Sequence, residues 1–157
     1  MRKGDGEFAR FEHEGWERVA DKYNSVWSSL TRQFIPHLIN AVGVSTEISV
    51  LDVACGPGYV SAAVKKLGAN PTGIDFSRKM VAIARSMFPE ATFREGDAQQ
   101  LPFTDASFDR VLMNFGLLHL SRSRKKHARK HFASCDREAN LASPFGRSRT
   151  KIPAAKL

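Results

Sequence analysis

The sequence predicts an α/β fold: one parallel sheet, its strands ordered 3-2-1-4, with helices on both faces. Three observations carry that expectation. The apolar run Val50–Val53 ends in the turn Gly56-Pro57-Gly58, and a helical pattern over residues 60–67 follows at once. Two more strand-like runs, residues 71–75 and 91–93, flank a second helical pattern over residues 78–88. A fourth run, residues 108–114, closes the series. Strands joined through helices pair in parallel. Right-handed crossovers then place strands two and three on one side of strand one and strand four on the other.

The remaining elements follow in chain order. Residues 1–11 are polar and read as a frayed end. Trp16, Val19, Ala20, Tyr23, Val26, Trp27 and Leu30 recur at helical spacing and predict one amphipathic helix. A second helical piece spans residues 36–42. Ser77 is placed to cap the helix over 78–88, which buries Met80, Val81, Ala84, Met87 and Phe88 and stops at Pro89. Residues 99–107 read as a loop. The chain therefore divides into a helical cap over 1–45, a binding core over 46–120 and a basic tail over 121–157.

The chemistry concentrates at strand ends. Gly56 and Gly58 allow backbone to approach a ligand where a Cβ would collide. Asp52, just before that turn, would repel a pyrophosphate and attract an ammonium group. Asp75 falls 17 residues after Gly58, near the spacing of an acid that accepts ribose hydroxyls. Asp97 follows the third strand in Arg94-Glu95-Gly96-Asp97-Ala98. Taken singly, Asp75 and Asp97 are ordinary turn residues. Their joint occurrence after successive strands favours a nucleoside site.

Four segments in this order resemble a known family: Asp52-Val53-Ala54-Cys55-Gly56-Pro57-Gly58, Gly73-Ile74-Asp75-Phe76-Ser77, Glu95-Gly96-Asp97-Ala98 and Phe108-Asp109-Arg110-Val111. They are similar to the class I S-adenosylmethionine-dependent methyltransferases, in the branch of ubiquinone and menaquinone biosynthesis, over residues 16–120. The resemblance implies a Rossmann-like core, S-adenosyl-L-methionine as cofactor and a small-molecule methyl acceptor. It implies that Asp52, Ala54, Gly56 and Gly58 border the cofactor's amino-acid end. Asp75 would accept the ribose hydroxyls, with Phe76 and Met80 packed on the adenine. Asp97 and the Ala98 N–H would meet the adenine edge. Asn114 and Phe115 would lie near the methionine moiety and the acceptor, and Tyr23 would close over the cofactor. His119 is the candidate general base, weighed against an ordinary polar residue at a helix start. Met80 taken alone is an ordinary core residue, and Cys55 has no activating base or cation.

Charge sharpens the picture. The 157 residues carry a net +8, but residues 1–120 hold 13 Lys/Arg against 14 Asp/Glu, while residues 121–157 hold 11 against 2. Basicity confined to the tail argues against a nucleic-acid partner for the core. Two cysteines, no membrane-length apolar run and no signal-peptide pattern predict a cytoplasmic protein. His127 and His131 have no metal-ligand context, and no metal is expected.

The tail lacks valine, and only Phe132, Leu141, Phe145, Ile152 and Leu157 are large and apolar. Five dispersed residues predict an irregular tail, with at most a helix over 121–140, and a fourth strand without a neighbour. A chain with such an edge is expected to be marginally stable. Reading each codon's third base with the next two, from His131 to Gly146, permits Phe-Arg-Val-Leu-Arg-Pro-Gly-Gly-Lys-Phe-Gly-Phe-Thr-Val-Trp. That string resembles the family's next segment, so a frameshift near Leu120 is favoured and the tail is read as foreign to the fold. Two other functions stay open: a non-catalytic cofactor-binding remnant, and an NAD-binding dehydrogenase. Ser61 in the third position of Gly-x-Gly-x-x-Gly and the acid at Asp52 count against the dehydrogenase.

Overall fold

A computed structural model describes residues 3–104, 106–120, 141–143 and 146–148. Helix α1 (Lys3–Val26) is followed by the short α2 (Ser28–Arg32) and by α3 (Ile35–Val42). Then come β1 (Ser49–Val53), α4 (Tyr59–Lys66), β2 (Asn70–Asp75), α5 (Arg78–Met87), β3 (Thr92–Glu95) and β4 (Arg110–Leu112). A 3-10 turn spans Gly116–His119, and β5 (Leu141–Ser143) and β6 (Gly146–Ser148) complete the sheet. The strand order is β3-β2-β1-β4-β5-β6. All neighbours are parallel except β5 and β6. The expected 3-2-1-4 core is present.

β1 lies at the centre and is buried on both faces, as a parallel strand must be. Its alternation sorts the core. Val50 packs with Leu38, Val42, Val64 and Leu112, under α3 and α4. Leu51 and Val53 point the other way, with Ile74, Val111 and Met113. Phe93 of β3 sits in register with Gly73 and so shares the α4 face, where it meets Val81 and Ala84 of α5. Helices α3, α4 and α5 therefore cover one face. Among the described residues the opposite face is covered by Leu101, Phe103, Phe108 and Leu120, not by helices as expected. The stretch from β3 to β4 is a turn-rich loop, too polar and too broken by Pro102 to form one.

Four further expectations are corrected. Residues 3–11 are helical rather than frayed, because they extend α1. The predicted single helix breaks at Trp27, and Val26, Trp27 and Leu30 are exposed. Met87 is exposed too, whereas Met80, Val81 and Ala84 are buried as expected. Finally, β4 does not stand at an open edge: Val111 and Leu112 pair with Leu141 and Ala142 of β5. The described part of the tail thus contributes strands rather than irregular chain. The helix expected over 121–140, His127 and His131 lie outside the described residues. No helix among the described residues is long and apolar enough to cross a membrane.

Candidate functional site

The chain leaves β1, β2 and β4 at the same end of the sheet, where α/β folds place their ligand crevices. Two clefts open there. One, of about 700 Å³, reaches from Trp16 and Tyr23 to Asp52 and Gly56. The second, of about 540 Å³, runs along Gly96, Asp97, Ala98 and Gln99. Ala54, Asp75, Phe76, Gly116 and His119 border both. Of the residues expected to border the cofactor or the acceptor, only Gly58 lines neither.

Gly58 has a different duty from the one expected. Its φ of +87° is left-handed, and a Cβ there would lie 2.7 Å from the Phe93 ring. The glycine admits core packing, and it lines neither cleft. Gly56 does line the larger cleft, and its N–H donates to Asp75 Oδ2 at 2.8 Å.

Asp75 is buried. Its other oxygen accepts from the Ser77 N–H at 2.9 Å, so this carboxylate ties the glycine turn to the start of α5. Each oxygen accepts one such bond and has capacity for a second. Burial, the largest cause, pushes its carboxyl up to about 6; the two N–H donors oppose that and Glu17 adds to it.

Asp52 is buried more deeply, at 1% exposure. Its Oδ2 accepts from both the N–H and the hydroxyl of Ser61, at 3.0 and 2.7 Å. Ser61, in the expected third-glycine position, is therefore a partner of Asp52. The other carboxylate oxygen, Oδ1, has no hydrogen-bond partner. Burial pushes this carboxyl up to about 7, against the Ser61 bonds and with help from Asp75. Asn114 presents a second orphan in the same cleft: its Nδ2 donates to the Thr31 carbonyl at 3.0 Å, while its buried Oδ1 is unpartnered. Cys55 is buried, and desolvation, with Asp52 and Asp75, holds its thiol well above the ordinary value. It is no nucleophile.

Helix α1 closes one side of both clefts. His119 Nδ1 lies 2.8 Å from Glu12 Oε2, and the Trp16 ring stands edge-on to His119 at 4.8 Å. Five residues on, Glu17 accepts from the Ser77 hydroxyl at 2.8 Å and the Lys79 N–H at 3.2 Å. Burial opposes its ionisation, but these bonds together hold its carboxyl below the usual range. Tyr23 is half-buried against Trp16 and lines the larger cleft. Asp97 is exposed, accepts from the Gln99 N–H at 2.9 Å in a turn contact and lines the smaller cleft.

The floor between the clefts is strained. Ala54 and Phe115 both hold left-handed backbone, at φ +54° and +64°. Gly116 follows, and a Cβ there would lie 2.5 Å from that of Ala54. Glu12, Glu17, Thr31 and Gly116 escaped sequence reasoning, and Ser61 was read for its place three residues beyond Gly58 but not as the partner of Asp52.

Among the described residues no group of three or more His, Cys, Asp or Glu is arranged to hold a metal. Residues 50–137, more than half of the chain, match the family described as a methyltransferase domain. The chain is 37% identical over 114 residues to the demethylmenaquinone methyltransferase of Renibacterium salmoninarum, covering 70% of this chain and 48% of that enzyme. It is 35% identical over 100 residues to the malonyl-(acyl-carrier protein) O-methyltransferase of Erwinia pyrifoliae, covering 64% and 38%. It thus spans half or less of these relatives' lengths. The cyclase SpnF superposes with a TM-score of 0.73 at 21% identity, over 82% of this chain and 57% of that one. A TehB-like SAM-dependent methyltransferase of Corynebacterium glutamicum gives 0.66 at 22%, over 79% and 72%. At such identities the likeness is one of fold, and fold alone does not fix a reaction. The family match does not depend on that likeness: it covers the run from β1 through β4, with the glycine turn and the residues after β1, β2, β3 and β4 that border the clefts, and this chain belongs to the methyltransferase-domain family.

Proposed function

We propose that this chain binds S-adenosyl-L-methionine across the two clefts and directs its methyl group to a small-molecule acceptor. The observation that carries the reading is Asp75, whose buried carboxylate borders both clefts and keeps acceptor capacity. A ribose straddling the two clefts meets it there. The smaller cleft, with Asp97 and Ala98, suits an adenine edge. The larger offers two orphan acceptors, Asp52 Oδ1 and Asn114 Oδ1, to an ammonium group. A pyrophosphate would meet Asp52 as a repulsive neighbour, which disfavours NAD. S-adenosylmethionine, when bound, supplies an activated methyl group for in-line displacement. The protein's share is position and electrostatics. Phe76 and Met80 pack against the nucleoside, Phe115 and Tyr23 exclude water, and His119, oriented by Glu12, accepts the proton an acceptor sheds.

The acceptor class is read from the relatives and the lining. Trp16, Tyr23 and Phe115 make the outer part of the larger cleft aromatic. A flat quinone-type ring, such as the name demethylmenaquinone methyltransferase gives for those relatives, fits that lining. His119→Ala should lower turnover about 100-fold or more while S-adenosylhomocysteine binding stays within about threefold. Turnover unchanged in that variant would remove His119 from the mechanism.

The reading extends to the tail. We infer a frameshift near Leu120, with residues 121–157 translated out of the family's frame even though residues 141–143 and 146–148 pair as strands. Sequencing the encoding DNA through codon 120, from an independent isolate, tests it: an uninterrupted frame identical to this one would end that inference.

A further inference from the structure

Helix α1 borders both clefts, yet its own packing holds it weakly. Of its described side chains only Ala20 is fully buried, while Phe8, Phe11 and Val19 are exposed. By contrast α3, a third as long, buries Ile35, Leu38, Ile39 and Val42. An element with so little buried apolar surface opens locally at low cost. Phe8, Ala9 and Glu12 line the smaller cleft, and Trp16 and Tyr23 the larger, so a ligand in either lies against this helix. Two polar tethers fasten it there: Glu17 on Ser77 and Lys79, and Glu12 on His119 Nδ1 at 2.8 Å.

Only the second tether has a partner that titrates. A neutral imidazole gives the Glu12 carboxylate one hydrogen bond, whereas an imidazolium gives it a charge-assisted ion pair. The side chains of His119 and Glu12 are 36% and 17% exposed, so solvent screens this pair less than one on the open surface. With Nδ1 on Glu12, Nε2 is the nitrogen left to take a proton. In the reaction proposed above, the methyl bond passes from sulfur to the acceptor, the sulfonium becomes a neutral thioether, and the acceptor's proton goes to His119. The positive charge therefore ends opposite Glu12. We propose that α1 is a lid over both clefts, latched by Glu12 whenever His119 is protonated, so that each turnover locks the lid until that proton is lost to solvent. The coupling to turnover rests on the methyl-transfer reading and deepens it; the latch rests on geometry alone. Histidine changes charge between about pH 5 and 8, so the latch is strongest at the acid end and is lost toward the alkaline end. Other charged groups stand near. Asp75, at the end of β2, lies close enough to His119 to interact by charge, while Asp97 borders the smaller cleft and Arg32 the larger. His13, also on α1, stands edge-on to Phe76 at 5.5 Å and lies near Glu17.

The test compares the full chain with Glu12→Gln, whose amide can meet a neutral imidazole but cannot pair with a charged one. Asp52 and Asp75 titrate in both chains, so the ratio of parent to variant isolates the latch. Amide exchange over α1, corrected for intrinsic rates, is read at about pH 5.5 and about pH 8. The parent should be about three- to tenfold better protected at the acid pH and within about twofold of the variant at the alkaline one. Protection of β1 should be equal in the two, and His13→Gln should keep the parent's pattern. Release of S-adenosylhomocysteine should follow, about three- to tenfold faster from Glu12→Gln at the acid pH and nearly alike at the alkaline one. A ratio that does not change with pH makes Glu12 a plain packing contact and overturns the latch. So does a pH dependence that survives in Glu12→Gln and vanishes in His13→Gln. Exchange that follows the expectation while release does not overturns the gating. A chain that binds no S-adenosylhomocysteine ends the cofactor reading and the coupling with it, and exchange still decides the latch.

Discussion

At the scale of single residues, the site is governed by two acids held above their ordinary range. Asp52 and Asp75 are pushed up to about 7 and about 6, chiefly by burial. Between about pH 4 and about 7 the folded chain therefore holds protons that the unfolded chain releases. Their contribution to unliganded stability falls as pH rises through that window. Asp52→Asn abolishes its share, so the stability of the variant relative to the parent should grow from pH 4 to 7.5, by on the order of 2–4 kcal/mol. Chemical denaturation at several pH values measures it, and a constant difference would show Asp52 titrating normally. Ligand binding should run the other way. A cationic ligand with ribose hydroxyls favours the ionised acids, so affinity should rise between pH 5 and 7.5 and then level off. A second residue-scale prediction concerns Gly116. Its missing Cβ would overlap that of Ala54, itself in left-handed backbone. Gly116→Ala should cost about 1–3 kcal/mol, seen as a lowered unfolding midpoint.

The elements show how much could be read in advance. The glycine turn, Asp52, Asp75 and Ser77 stood out because each lies within a few residues of its strand or helix end. There, local chemistry decides the role: Ser77 does cap α5, accepting from the Met80 N–H at 3.2 Å. Helix α1 was legible as a helix, but not for its contacts. Glu12 meets His119 across 107 residues, and Glu17 meets Ser77 across 60. No spacing within α1 announces partners so remote, and two more glutamates, Glu7 and Glu14, share the helix. The packing role of Gly58 was illegible for the same reason: its neighbour is Phe93, 35 residues on. Glu17 yields the element-scale prediction. It supplements the Ser77 cap and fastens α1 beside Asp75. Glu17→Ala should lower stability by about 0.5–1 kcal/mol and speed amide exchange across α1 while leaving β1 protected. Exchange unchanged in α1 would mean that its packing, not this bond, holds it.

For the whole molecule, the order β3-β2-β1-β4 and the gathering of ligand-facing residues at one sheet end were legible, because parallel strands and right-handed crossovers leave few alternatives. What covers the second face was not, since the chain from Gly96 to Asp109 supplies scattered aromatics with no period. Phe103 and Phe108, ring centroids 4.9 Å apart, take the place a helix was expected to hold. The neighbour of β4 was missed as well: three residues with a single large apolar side chain, Leu141–Ser143, carry too weak a pattern to be read as a strand, and only the paired register makes one. The central claim is that the clefts meeting at Asp75 form an S-adenosylmethionine site. Calorimetric titration of the parent with S-adenosylhomocysteine and with NAD, repeated with the thioether on Asp75→Asn after its folding is checked by thermal unfolding, tests it most directly. The account predicts one thioether bound per chain, no binding of NAD, and affinity about 10- to 100-fold weaker in the folded variant. Binding of NAD in place of the thioether, or a variant that binds the thioether as tightly as the parent, would contradict it.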